Sequence, residues 1–91
     1  MIVIIKSSPD TAEGGRGLKL ARDMAADICL IQGGVYFAEK ERLEGFCGTV
    51  YALEEDLRMR GIRDLEKGVI PIGYDGLTDL AAENDKVVGA F

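Results

Sequence analysis

Hydrophobic positions in this chain fall into short continuous runs separated by stretches of helical spacing. "IVIIK", residues 2–6, is β-branched without interruption, the pattern of a strand covered on both faces in a parallel sheet. "SSPDTAEGG" then turns, with Pro9 and Asp10 as breakers and Thr11 or Asp10 as the N-cap. From about Glu13 to Ala26, helical spacing places Leu18, Leu20, Ala21, Met24 and Ala25 on one side, while Gly14, Gly15 and Gly17 weaken the first turn. "DICLIQGG", residues 27–34, predicts a second buried strand stopped by Gly33 and Gly34, followed by a short helix or helical turn in "VYFAEKERLEGF". A third strand is expected at 48–53, and "EEDLRMRG" is a helix closed by Gly61 at the C′ position. "VIPIG", residues 69–73, predicts a fourth strand that Pro71 assigns to a sheet edge or to an outward-facing amide. "YDGLTDLAAEN" is a last helix, and "KVVGAF" either a final short strand or an arm. Such alternation predicts an α/β fold: a three-layer α/β/α arrangement with a mostly parallel four- or five-stranded sheet, right-handed connections and one domain over 1–91.

Composition narrows the function classes. At 91 residues the chain holds one modest core and leaves much of its surface exposed, so burial between subunits is a natural supplement. Sixteen acids against 11 bases give a formal charge of -5. That balance opposes binding to a phosphate backbone, and no direct nucleic-acid partner is expected. No run approaches a membrane-spanning length and the opening apolar run is too short for a signal-peptide core, so the expectation is a cytoplasmic protein without membrane contact. Histidine is absent, and Cys29 and Cys47 lack metal-ligand spacing, so neither a metal nor a cofactor is expected.

Three stretches carry candidate chemistry. "SSPDTAEGGRG" is rich in glycine and hydroxyls but lacks both the Lys-Ser/Thr ending of a phosphate loop and the G-x-G-x-x-G spacing of a dinucleotide fold. Arg16 at the helix start is either a solvated arginine or a weak anion holder. In "QGGVYF", one of Gly33 and Gly34 takes positive φ to end the strand with Val35 and Phe37 inward, or the backbone approaches a neighbour and Tyr36 with Phe37 joins an interface. Cys29, between Ile28 and Leu30, reads as a core thiol. Cys47 lies at the N-terminal end of the third strand, opposite the edge where parallel α/β folds bind ligands. It is the one candidate persulfide site, with Lys40 or Arg42 as the cations able to activate it.

That ligand-binding edge, at "VYALEEDLRMRG", is crowded with acids and empty of nucleophiles. Glu54, Glu55 and Asp56 complement the positive end of the helix dipole and would repel a thiolate, persulfide or phosphate beside them. The corner therefore reads as built for stability or protein contact.

Taken in order, "IIKSSP", "LIQGGVYFA", "VYALEEDLRMRGI" and "VIPIGYDGLTDLAAEND" resemble the DsrH/TusB family of the DsrE/DsrF/DsrH-like superfamily over nearly the whole chain. The resemblance implies a short DsrEFH-like α/β fold and a subunit of a sulfur-relay assembly. Such assemblies pass persulfide sulfur towards 2-thiouridine at the tRNA wobble position or serve in sulfur oxidation. Sulfur-carrying relatives place a cysteine at the end of the third strand, shortly before an Arg-Gly similar to Arg60-Gly61; the corresponding position here falls on or near Leu53. A cysteine that some DsrH-type members carry in the first helix corresponds to Leu18. Gly33 stands where an Asp is common, and Phe91 where a Trp is usual.

The resemblance thus implies a non-catalytic, TusB-like subunit with DsrE/DsrF (TusD/TusC)-like partners or copies of itself. The alternative is a Cys47-dependent persulfide carrier acting as a homo-oligomer, and a third reading is an oligomeric domain unrelated to sulfur. Interface candidates are Tyr36, Phe37, Tyr74 and Phe91, with "VVGAF" as a docking arm; Tyr51 alternates with Val50 and Ala52 and is equally suited to the core.

Overall fold

A row of β-branched side chains running across five strands organises the molecule. The computed structural model describes residues 1–89 and residue 91. In it β1 (Ile2–Ile5), β2 (Asp27–Leu30), β3 (Val50–Leu53), β4 (Val69–Ile72) and β5 (Val87–Val88) form one sheet in the order β4-β3-β2-β1-β5, every pairing parallel. In register, Val88, Val3, Ile28, Val50 and Val69 lie side by side, with Ile5, Leu30 and Ala52 one step on along the same face. Branched side chains fit a pleated buried surface, which is why these continuous apolar runs become strands.

The face bearing that row is well covered. Helix α1 (Ala12–Asp23) lays Leu18 and Ala21 on it, the 3-10 helix Gln32–Ala38 adds Val35, Phe37 and Ala38, and α2 (Glu54–Met59) with its following turn adds Leu57 and Ile62. The opposite face carries Ile4, Cys29, Tyr51 and Ile70 in register. There the chain must return from β4 at one edge to β5 beyond β1, and right-handed connection sends α3 (Tyr74–Glu83) across this second face. Gly76 lies against Ile72 on that side. No residue of α3 is buried.

Several boundaries move from their expected places for identifiable reasons. Helix α1 starts at Ala12, capped by the Thr11 hydroxyl, which accepts from the Gly14 amide at 3.1 Å. Two of the glycines expected to weaken it are places of close approach. A Cβ on Gly14 would stand 2.4 Å from the Ser8 carbonyl oxygen, and one on Gly17 would stand 2.8 Å from the Phe91 Cβ. Strand β2 ends at Leu30, four residues short of the expected 27–34. The positive φ that ends it belongs to Gln32, at +48, rather than to Gly33 or Gly34. Gly34 serves a different purpose: a Cβ there would lie 2.0 Å from the Ile5 carbonyl oxygen. Strand β3 starts at Val50 rather than 48, and β4 is an edge strand, as Pro71 predicted. Val87 and Val88 pair with β1 as β5, and the Phe91 amide donates to the Ile4 carbonyl at 3.1 Å. Phe91 packs on the core; Ala90, within the expected arm, lies outside the described residues.

Replacing Gly34 with Ala is expected to destabilise the fold by about 1–3 kcal/mol, because the new methyl meets backbone. Gly15→Ala, a helical position with nothing within 4 Å of the added Cβ, is expected to stabilise by about 0.5–1 kcal/mol. Urea unfolding of the two variants against the parent measures both.

Candidate functional site: the carboxyl edge of the sheet

In parallel α/β folds the carboxyl ends of the strands form the ligand-binding edge. Here that edge gathers the β1–α1 loop, the turn after β2, the start of α2 and the start of α3. Asp56, in the first turn of α2, is 8% exposed and is the one buried charged residue among those described. Its Oδ2 accepts from the Gln32 amide at 2.8 Å, and its Oδ1 accepts from Arg60 Nη1 at 3.4 Å. The carboxylate therefore holds the left-handed Gln32 in place and ties the end of β2 to α2. Gln32 in turn sets the path to Gly34, whose amide donates to the Lys6 carbonyl at 3.1 Å and so draws β1 into the same corner.

Helix α2 is short and closed tightly. Gly61, at φ +68, donates its amide to the Arg58 carbonyl at 3.1 Å, and the Ile62 amide reaches back to the Leu57 carbonyl at 3.0 Å. This is a Schellman closure, and the two side chains that accompany it, Leu57 and Ile62, are both buried. With Asp56 fixed at one end and Gly61 at the other, little freedom remains for a reactive group. Glu54 and Glu55 are exposed and complement the helix dipole. The three acids thus divide: one holds a turn, two face solvent.

Tyr74 opens α3 beside this corner and is 57% exposed. The negative charge of Glu55 raises its phenol above the ordinary tyrosine value, with desolvation and Asp56 adding in the same direction.

Neither thiol is at this edge. Cys29 is fully buried in β2, and desolvation pushes its thiol up to about 11. Cys47 is exposed at the opposite end of the sheet, its Sγ 3.7 Å from the Gly45 carbonyl oxygen. It borders an open depression of about 360 Å³ together with Ala21, Arg22, Ala26 and Phe46. The cations expected to activate it lie elsewhere. Arg42 donates to the Tyr36 carbonyl at 2.9 Å, and Lys40 and Arg42 line a separate depression with Ser8 and Asp10, because left-handed Lys40 and Glu41 turn the chain away after the 3-10 helix. Arg22 is the cation beside Cys47, and it donates to the Glu44 carbonyl at 3.1 Å.

Of the interface candidates, Phe37 is 3% exposed and belongs to the core, which is the inward one of its two readings and removes it from the interface candidates. Tyr36 and Phe91 are half-buried against that core, and Tyr74 stands out from it. Tyr51 is half-buried in β3 on the thinly covered face. The latch between Asp56 and Gln32 was not visible in the sequence, since its partners stand 24 residues apart; an acid in the first turn of α2 was its only local sign.

The family model described as "DsrH like protein" matches residues 8–87. The chain belongs to the DsrH-like family. Among solved structures, the crystal structure of the ychN protein from E. coli matches this DsrH-like chain with a TM-score of 0.80 and 19% identity, over 96% of each chain. That likeness establishes a shared fold, the five-stranded parallel α/β arrangement described above. The comparison with curated proteins finds no match. No helix among the described residues is long and apolar enough to cross a membrane.

Two outcomes are expected at this edge. Asp56→Ala removes the acceptor of a charge-assisted hydrogen bond and is expected to cost about 1–3 kcal/mol in chemical denaturation, whereas Glu54→Gln costs less than about 1 kcal/mol. Glu55→Gln removes the charge that opposes the Tyr74 phenolate, so the Tyr74 pKa is expected to fall towards the ordinary value in an ultraviolet titration.

Proposed function

We propose that this DsrH-like chain is a non-catalytic subunit of a sulfur-relay complex, its partners being DsrE/DsrF-like chains, and that it contributes surface and stability rather than a sulfur-carrying thiol. The observation that carries the reading is the content of the carboxyl edge. Where sulfur-carrying relatives are expected to hold a cysteine, this chain has Leu53, 2% exposed, followed by Glu54, with the Asp56 carboxylate engaged in holding a turn. A persulfide placed there would face three carboxylates at close quarters. Family membership supports the sulfur-relay setting. The pathway served is either thiolation of tRNA at the wobble position or sulfur oxidation, and the setting within the cell is the cytoplasm.

The alternative, a Cys47-dependent carrier acting as a homo-oligomer, is favoured by one observation: Cys47 is exposed and Arg22 borders the same depression.

The readings part in two measurements. Light scattering under reducing conditions is expected to show a defined hetero-oligomer when the chain is mixed with DsrE/DsrF-like partners; a homo-oligomer indifferent to them would contradict the proposal. In the reconstituted complex, Cys47→Ser is expected to leave sulfur transfer within about twofold of the parent, because the proposed role gives this exposed thiol no part in the transfer. Loss of transfer with the complex intact would establish the carrier instead.

A further inference from the structure

The second face of the sheet is incompletely covered, and the helix lying over it has an unusual charge pattern. Helix α3 turns Gly76, Leu77 and Leu80 towards the sheet, yet none of its residues is buried. Among the described residues five large hydrophobic side chains are exposed, and three of them lie on or next to this helix in sequence: Tyr74, at 57%, opens it, while Ile70, at 44%, and Val87, at 41%, stand in the strands before and after it. On the outward side, Thr78, Ala81 and Ala82 are small enough for another backbone to approach. Beside them Asp75, Asp79 and Glu83 repeat at four-residue spacing. Like charges at that spacing destabilise an isolated helix. Among the described residues none of the three pairs with a cation, and α3 itself contains no base.

We propose that α3 is the docking surface for a different chain, one presenting a basic helix or strip whose lysines or arginines meet Asp75, Asp79 and Glu83 while apolar side chains cover Ile70 and Tyr74. Charge decides against a second copy of this chain. A symmetric pairing through α3 would bring both acid rows together between two chains that each carry a formal charge of -5. The exposed arginines Arg58 and Arg63 border a depression beside α2 and its following turn, whose Leu57 and Ile62 pack on the first face. Joining them to α3 of another copy would connect opposite faces head to tail, an arrangement that runs on as an open stack unless its rotation closes into a ring. Pro71 on the β4 edge removes an amide there, which weighs against a partner adding a strand beside Ile70.

This inference rests on the proposed role as a relay subunit and names the surface and the partner chemistry. The test pairs Asp79→Lys/Glu83→Lys with a control of equal charge change far from α3, Glu41→Lys/Glu44→Lys, each checked for native circular dichroism, and measures binding to the DsrE/DsrF-like partners by calorimetry at two salt concentrations. The expected result is at least tenfold weaker binding for the α3 variant, parent-like binding for the control, and a parent affinity that falls with salt. An α3 variant that binds like the parent overturns the inference and leaves the relay role standing. If the parent binds none of these partners, the role fails and the inference with it. A parent homodimer that the α3 variant abolishes would also overturn it, by making the occupant a second copy.

Discussion

The Asp56 carboxylate is the constraint on which the carboxyl edge depends. The chain must leave β2, turn sharply enough to bring Gly34 against the Ile5 carbonyl, and still deliver Val35 and Phe37 into the core. It does so through a left-handed glutamine, a conformation that costs free energy for a residue with a side chain and persists only where its surroundings hold it. A nearly buried carboxylate from α2 supplies that hold through the Gln32 amide, and Arg60 balances its charge. A sequence position that could present chemistry is thereby committed to architecture, and the two exposed acids beside it keep anionic groups away.

A second constraint is size. A chain of 91 residues covers one face of its sheet with two helices and a 3-10 segment, and has only α3 left for the other. The apolar row Ile4, Cys29, Tyr51 and Ile70 therefore runs from burial at Cys29 to exposure at Ile70. Small domains commonly make up such a deficit by association. The asymmetry of the sheet and the acid row on its single covering helix belong together on the proposed reading: one supplies the area that a partner covers, the other selects its charge.

Much of this architecture was legible in the hydrophobic pattern. Continuous β-branched runs marked the strands, Pro71 marked an edge, Gly61 marked the end of α2, and Thr11 was among the two expected caps, because each of these signals acts over a few residues. What was hidden depends on pairings distant in sequence. The purpose of Gly34 is set by Ile5, that of Gly17 by Phe91, and that of Asp56 by Gln32. Phe37 kept two readings in the sequence because an aromatic pair after a strand has the same composition in a core as at an interface; the 3-10 turn directs it inward. Lys40 and Arg42 were close to Cys47 in sequence but are separated from it by the left-handed turn at Lys40 and Glu41.

The central claim is that this chain shapes a relay complex without carrying sulfur itself. It is tested most directly by incubating the purified native protein with a low-molecular-weight persulfide donor, beside a cysteine-bearing DsrE-like carrier, and reading intact masses. The account predicts that the carrier gains sulfur while this chain emerges at its unmodified mass. A stable gain of one sulfur atom on the native chain, mapped to Cys47 and passed on to an acceptor thiol, would contradict it.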